Sequence, residues 1–464
     1  MAILGLAFFA SLCAVCAIYW SLPPRARRLW LLAASYAFYC TFSLAHAALL
    51  LGATILAYVA AILIARSPTE TRKRRVLTPA IVVFIGVLIA FKAIALKPSI
   101  GILLPLGISY YVFKIVSYVI DVYWEKIEAE RDFISFATYV AFFPQISSGP
   151  IQRSGEFLAQ LRDARPSADR AFRGFRLMLF GAFKKLVVAD RLATLVDRAF
   201  ADPHAAPSFA LCAAGYLYAI QLYADLSGFT DLAIGMGRLF GIEAPQNFDR
   251  PFYAANVQQF WRRWHITLTS WLGDYLFTTL RFRLRAIGDA GLAIALLINM
   301  IAIGLWHGFK TTYLVFGVLN GVYMIVSALT LKRRDRFYRQ YSFLENARKW
   351  AAPILTFHLM VIGFVFARAE TIRAGAFIIA RAPAAIAHAL LHPGAARMEL
   401  QSLGVAGDLG IALFGIFAME LAQHSREWLD RRPLALRFCA YYFAAVTIFF
   451  FGAPNAARFI YTQF

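Results

Sequence analysis

The sequence is expected to form an all-α polytopic membrane protein, and three observations lead there. The 464 residues are 60% hydrophobic, with a mean hydropathy of +0.61. Only 16% are charged, well under the roughly 25% of soluble domains. The apolar residues gather into runs near the length a helix needs to cross a bilayer, about 20 residues. A formal net charge of +21 would by itself suit nucleic acid. Here the basic residues sit in short segments between apolar runs, where membrane topology puts them. Nucleic acid is therefore set aside as a partner, and membrane lipid is expected instead.

The elements follow in chain order. No A-x-A-like cleavage site follows the first apolar run; Ser21-Leu22-Pro23-Pro24 and Arg25, Arg27 and Arg28 come instead. Residues 2–21 are thus read as a retained first span rather than a signal peptide. Basic clusters at 25–28, 66–75, 332–339 and 426–432 are all placed on the cytoplasmic side. With the N-terminus outside, 2–21 runs inward, 29–41 and 47–65 go out and back, and 77–97 and 105–123 do the same. Segments 292–310, 311–331, 350–368, 405–424 and 438–453 then alternate, which leaves the C-terminus outside. Residues 133–151 hold Pro144, Gly149 and Pro150 and are followed by charge; they are read as re-entrant, since irregular backbone at membrane depth survives only under cover. Residues 247–288, rich in Arg, Trp and Tyr, read as amphipathic helices on the cytoplasmic interface, and 374–392 as a similar element on the outer side. No internal repeat or low-complexity linker divides the chain, so 1–464 is read as a single domain.

The most informative stretch is Gly304-Leu305-Trp306-His307-Gly308. It sets an imidazole at the end of an apolar run beginning near Leu292. Ionisable groups inside a bilayer are costly and are functional hypotheses by default, and an imidazole exchanges a proton near neutral pH. Taken alone, His307 is balanced between packing and chemistry. Asn299 lies two turns earlier on the same helix. His265 sits in Trp261-Arg262-Arg263-Trp264-His265. One continuous helix would put Trp264, Leu268, Trp271 and Tyr275 on one face and Trp261, His265, Thr269 and Leu272 on a second. On that helix His265 alone reads as an interfacial histidine held by hydrogen bonds, while Arg262 and Arg263 suit lipid phosphates or an anionic substrate. Asp225 and Asp231 fall in an apolar region. Buried charges need partners, so they pair with arginine, orient a histidine, or hold a helix break at Ser227-Gly228.

The remaining features are weaker. His46, His204, His358, His388, His392 and His424 have no motif around them. Cys13 and Cys16 make a C-x-x-C inside an apolar span and read as packing. No zinc-like spacing, H-E-x-x-H, P-loop or G-x-S-x-G is present, so no metal and no cofactor are expected. The last residues, Phe459-Ile460-Tyr461-Thr462-Gln463-Phe464, read as an aromatic belt or as a tail whose Tyr461 phenol carries an acyl group. A phenol ionises near pH 10, so its ester keeps a good leaving group.

Several blocks together resemble the membrane-bound O-acyltransferase family. They are Pro105-Leu106-Gly107-Ile108-Ser109-Tyr110, Ser117-Tyr118-Val119-Ile120-Asp121-Val122-Tyr123, Phe143-Pro144-Gln145-Ile146-Ser147-Ser148-Gly149-Pro150-Ile151, Tyr223 to Phe229, Asn247-Phe248-Asp249-Arg250-Pro251-Phe252, Trp261 to His265, and Gly304 to Gly308. The resemblance is closest to a bacterial branch of alginate O-acetyltransferase membrane components and teichoic acid D-alanyl transfer proteins. It implies that family's fold, with about 11 membrane-spanning helices plus re-entrant and interfacial ones. It implies that His307 is the catalytic histidine and His265 the second histidine of this branch. It implies that 459–464 is an acyl-relay motif with Tyr461 as carrier. Trp306, Arg262, Arg263, Asp225 and Asn299 are candidate substrate-binding residues.

The activity so implied moves an acyl group, acetyl being favoured, from a cytoplasmic thioester donor such as acetyl-CoA. The acceptor would be an extracytoplasmic polysaccharide or a partner acyltransferase, and the setting the bacterial inner membrane. Ser147-Ser148-Gly149-Pro150 resembles the D-alanyl side of the branch; the block from Asp225 to Asp231, Val257 to His265 and the fused tail resemble the polysaccharide acetyltransferases. Two rival readings share the apolar spans and intramembrane charges. One is a transporter or flippase, the other a scaffold for a polymer synthase.

Overall fold

A computed structural model describes residues 5–97, 103–403, 406–430 and 432–453. Every regular element among them is helical. They are α1 (Leu6–Ser21), α2 (Pro24–Cys40), α3 (Leu44–Arg66), α4 (Glu70–Ile94), α5 (Ile108–Tyr123), α6 (Phe133–Ala141), α7 (Phe143–Ile146), α8 (Ser154–Arg162), α9 (Ala168–Phe183), α10 (Asp190–Ala201) and α11 (Ser208–Leu239). The second half adds α12 (Val257–Arg263), α13 (Ile266–Leu272), α14 (Thr278–Arg283), α15 (Gly288–His307), α16 (Thr311–Gln340), α17 (Glu345–Arg368), α18 (Ile372–Leu391), α19 (Pro393–Ser402), α20 (Ala406–Asp430) and α21 (Leu434–Phe451).

Seven helices are long and apolar enough to cross a membrane, or eight if the bent pair α19/α20 counts as one span. The seven include α3, α4, α16 and α17, and the run through α15, each matching an expected span. The expected total of about 11 is not reached by these helices alone. The first and last expected spans, and 133–146, are shorter apolar helices. In 133–146 the chain breaks at Phe142 (φ −49, ψ 104) between α6 and α7.

Two spans of this length were not expected. The 32-residue α11 runs unbroken through Ser227-Gly228, which corrects the expected helix break there. Gly228 serves contact instead of bending: a Cβ on it would lie 2.8 Å from the carbonyl oxygen of Gly181. Upstream, α9, a π-helical turn (Lys184–Ala189) and α10 follow without interruption. The charges that hide this hairpin from hydropathy neutralise one another. Lys185 Nζ sits 2.7 Å from Asp190 Oδ1 and 2.6 Å from Asp225 Oδ1, with all three side chains at most 3% exposed. The other addition is α18, read from sequence as an interfacial element at 374–392 but long and apolar enough to cross.

The described chain divides into two compact units, Met1–Met178 with Phe229–Gln246, and Leu179–Gly228 with Asn247–Phe464. In the first, α5 is buried almost all round, as a helix apolar on every side must be. Its N-terminal Gly107 has φ +68, and a Cβ there would stand 1.8 Å from the Ile146 carbonyl oxygen. The Pro105–Tyr110 block thus rests on the Phe143–Ile151 block at a contact only glycine permits. The buried Lys114 ammonium donates to Gln145 Oε1 at 3.1 Å and to the Tyr139 carbonyl at 3.2 Å. Cys16 points its thiol at the Leu239 carbonyl, whereas Cys13 faces outward, which corrects the expectation that both are packing residues.

In the second unit, α15 and α16 form the tightest helix pair. A Cβ on Gly304 would lie 2.3 Å from the Tyr313 carbonyl oxygen, and one on Gly317 2.8 Å from that of Met300. Small residues let membrane helices approach closely, so dispersion contacts replace the missing hydrophobic drive. Gly304→Ala is therefore expected to force the pair apart, at roughly 1–3 kcal/mol, and to lower the thermal unfolding midpoint in detergent. Gly52→Ala is the control. It has nothing within 4 Å of the added methyl, so its midpoint should hold or rise.

Candidate active site

The site is built at the end of α15. Trp306 and His307 are the last two helical residues, and Gly308 lets the chain turn into α16. The Trp306 indole is 5% exposed. Its ring centroid lies 5.0 Å from that of His307, with the planes at 85°. It also meets the His265 ring at 5.6 Å and 83°. Two histidines 42 positions apart in sequence thus share one indole. His307 is half-buried and also faces Tyr313 at 6.1 Å and Phe316 at 6.3 Å.

His265 reaches this place through a break that sequence periodicity does not show. The expected continuous helix stops at Arg263 and restarts at Ile266. His265 bridges the two pieces with φ 42 and ψ 53, in the left-handed region. Histidine is among the few side chains that visit this region with any frequency, and such conformations persist only where surrounding structure fixes them. Asn247 does so. Its carbonyl accepts from Ile266 N at 2.8 Å, and its Oδ1 accepts from Thr267 N at 3.0 Å and Thr267 Oγ1 at 2.7 Å. Asp249 N donates to the Arg263 carbonyl at 3.0 Å. The block from Asn247 to Phe252 therefore acts as the brace of the histidine turn. The two stripes expected of one helix do not form, because each piece is only seven residues long.

Burial disfavours a charged imidazole at His265 and pushes its pKa down from the ordinary 6.5 to about 4. The ring is neutral at physiological pH, suited to orienting or donating one hydrogen bond rather than to carrying charge. Around Phe316 lie further enclosed polar atoms. Trp261 Nε1, Thr312 Oγ1 and Asn320 Oδ1 make no hydrogen bond, and the Trp261 ring sits 6.1 Å from Phe316. An enclosed polar atom left unpaired costs roughly 1–3 kcal/mol, which marks these three as candidate ligand contacts. Sequence reasoning passed over Trp261, because a tryptophan in an apolar stripe reads as packing.

The other expected residues fall as follows. Asn299 is half-buried on α15, and its Oδ1 is enclosed without a hydrogen bond. Arg262 is exposed and Arg263 half-buried in the last turn of α12. Asp225 pairs with Lys185, a lysine where an arginine or histidine was expected. Lys185 was missed, although adjacent lysines within an apolar run and a carboxylate five positions on were the signal. Asp231 is half-buried farther along α11. Tyr461 and the rest of 459–464 lie outside the described residues. The root of that tail is tied down: Ala453 N donates to the Leu186 carbonyl at 3.0 Å, and Arg191 donates to the carbonyls of Phe451 and Gly452 at 3.1 and 3.2 Å. Among the described residues no three His, Cys, Asp or Glu side chains are grouped to hold a metal.

Comparison with known proteins bears on this geometry. Residues 128–366 match the model of MBOAT, the membrane-bound O-acyltransferase family. The probable alginate O-acetylase AlgI of Pseudomonas syringae pv. tomato is 35% identical over 376 residues, which cover 76% of this chain and 70% of that protein. The peptidoglycan O-acetyltransferase of Helicobacter pylori is 29% identical over 394 residues, 75% of this chain and 72% of that protein. The teichoic acid D-alanyltransferase of Bacillus subtilis is 27% identical over 274 residues, 56% of this chain and 67% of that protein.

The buried imidazole gives a pH signature. Between pH 6.5 and about 4 the unfolded chain takes up a proton at His265 that the folded chain refuses. Stability should therefore fall as pH is lowered through that window, by on the order of 3 kcal/mol, and be untouched by this group above it. Denaturation in detergent at stepped pH checks it: His265→Gln should flatten this part of the profile.

Proposed function

This chain belongs to the membrane-bound O-acyltransferase family, and we propose that it moves a short acyl group from a cytoplasmic thioester to an extracytoplasmic polysaccharide. It is a multi-pass membrane enzyme of the O-acyltransferase class. The observation that carries the proposal is the packing of both His307 and His265 against Trp306, with His307 open enough to meet a substrate. The relatives named as alginate O-acetylases support acetyl as the group and a polysaccharide as acceptor. The D-alanyltransferases keep D-alanyl transfer to a cell-envelope polymer as the second reading. A transporter or flippase would need neither a histidine pair nor this family's membership.

In the proposed step the donor is an acyl thioester such as acetyl-CoA, whose phosphates meet Arg262 and Arg263. The nucleophile on the thioester is the Tyr461 hydroxyl oxygen. In a second transfer a hydroxyl of a sugar or of a partner acyltransferase attacks the carbonyl carbon of the Tyr461 ester, its ester C–O bond breaks, and the phenol takes back the proton. His307 takes the hydroxyl proton as the oxygen attacks the thioester carbon. The C–O bond forms, the C–S bond breaks, and the thiolate leaves with the proton that His307 returns. The oxygen that gains negative charge needs donors already in place. Trp261 Nε1–H is enclosed and unengaged, and neutral His265 and the Trp306 indole N–H are the other candidates. Asn299 helps hold the donor, and Asp225 keeps the α9–α11 region in register through Lys185.

The inner membrane of a bacterium, with both termini outside, is the setting that supports this direction of transfer. The added passes keep the basic clusters inside. The α9–α10 run and α11 go out and back. If α18 is the returning pass, the bent α19/α20 pair turns back on the inner side and α21 goes out.

His307→Ala is expected to remove polymer acylation while protein level is unchanged; acylation near the wild-type amount in that variant would refute the role of the histidine. Tyr461→Phe keeps the ring and removes the nucleophile. It should reduce acylation at least tenfold if the tail is the carrier, and a wild-type level in that variant rules the relay out.

A further inference from the structure

Away from the histidines, the first compact unit holds a cavity of about 150 Å³ lined by Tyr19, Pro24, Arg25, Arg27, Arg28 and Arg162, among others. None of its lining residues is acidic. Four arginines line it where α1 gives way to α2 and α8 ends. Two carboxylates outside the cavity engage two of them. Arg28 pairs with Asp132 at 2.5 Å, and Arg162 pairs with Glu130. Among the described residues, no carboxylate pairs with Arg25 or Arg27.

Arg27 is nevertheless fixed. Its Nε donates to the Leu22 carbonyl at 2.8 Å and its Nη2 to that of Trp20 at 3.4 Å. Its guanidinium lies 5.0 Å from the Trp20 ring and 5.9 Å from the Tyr19 ring. Arg28 is held by Ser135 at 3.0 Å as well as by Asp132. A set of guanidinium groups held in place before binding, with excess positive charge and free N–H bonds, is the arrangement that recognises phosphate oxygens in pairs.

We propose that this cavity binds the phosphodiester headgroup of an anionic membrane lipid. The position argues for a lipid source over a soluble one. The lining residues Tyr19, Pro24, Arg25, Arg27 and Arg28 run from the end of α1 into α2, and Ile18 and Leu29, next to them in sequence, are 40% and 56% exposed. Acyl chains thus find apolar surface next to the charge. Trp20 and Tyr19 are the aromatic pair that marks headgroup depth, and basic pockets at cytoplasmic helix ends are where anionic headgroups are held. The site is independent of the acyl-transfer chemistry, and its occupancy bears on the fold of the first unit.

The test is titration of the delipidated, purified full chain by native mass spectrometry with phosphatidylglycerol, phosphatidylcholine or inorganic phosphate. The expected result is tighter binding of phosphatidylglycerol than of phosphatidylcholine, without competition from millimolar phosphate. Arg25→Gln should weaken phosphatidylglycerol roughly fivefold, the worth of one basic side chain near a membrane surface. Arg25 is exposed, so this variant should fold even if Arg27→Gln does not. Arg72→Gln, an exposed arginine remote from the cavity lining, should bind as the wild type does. Equal binding of the two lipids, or an unchanged Arg25→Gln, overturns the site. Displacement of the lipid by phosphate overturns the lipid assignment and makes the cavity a free-anion site.

Discussion

The approach of α15 to α16 at Gly304 is the contact on which the candidate site depends. A methyl group there would meet the Tyr313 carbonyl at 2.3 Å, so the two backbones run as close as helices can. That closeness carries Trp306 into the interior and leaves His307 at its edge, where α15 ends. His265 is then set against the same indole. One histidine is accessible and one is sealed. The asymmetry follows from helix packing and from a left-handed turn.

A second constraint is the treatment of charge in an apolar setting. Lys185, Asp190 and Asp225 are buried within a π-helical turn and its neighbours. A buried charge without a partner costs far more than a paired one. Two carboxylates on one ammonium meet that need, and π turns recur where proteins trade regularity for placement of side chains. The same turn receives the Ala453 amide, so the segment that neutralises the interior also anchors the root of the C-terminal tail. The arginines around Tyr19 and Trp20 show the opposite treatment, with surplus charge kept at a rim.

Much of this was legible in the residues. Apolar runs with few charges exposed α3, α4, α15, α16 and α17, because their lipid-facing surfaces dominate their composition. The α9–α11 hairpin was not legible. Hydropathy counts Lys184, Lys185, Asp190 and Asp225 as polar, and pairing across helices cannot be seen along a chain. The motif around His307 stood out because glycines flank an indole and an imidazole in an apolar helix. His265 stood out as a residue but not in its geometry: helical periodicity ran through it, whereas Asn247, 18 positions earlier, breaks the helix there. Trp261 was masked by its own stripe. Its unpaired N–H is a property of three-dimensional enclosure, and no spacing rule signals it.

The central claim is that the histidine beside the indole drives acyl transfer from a thioester onto an oxygen of this chain or its acceptor. Incubating the purified protein with isotopically labelled acetyl-CoA, followed by peptide mass mapping and thiol release, tests it most directly. The account predicts free thiol and a labelled acyl ester on the C-terminal peptide at 459–464, both lost on replacing His307. Absence of thiol release and of any adduct in the folded wild type, with acetyl-CoA and with other short acyl thioesters, would contradict it.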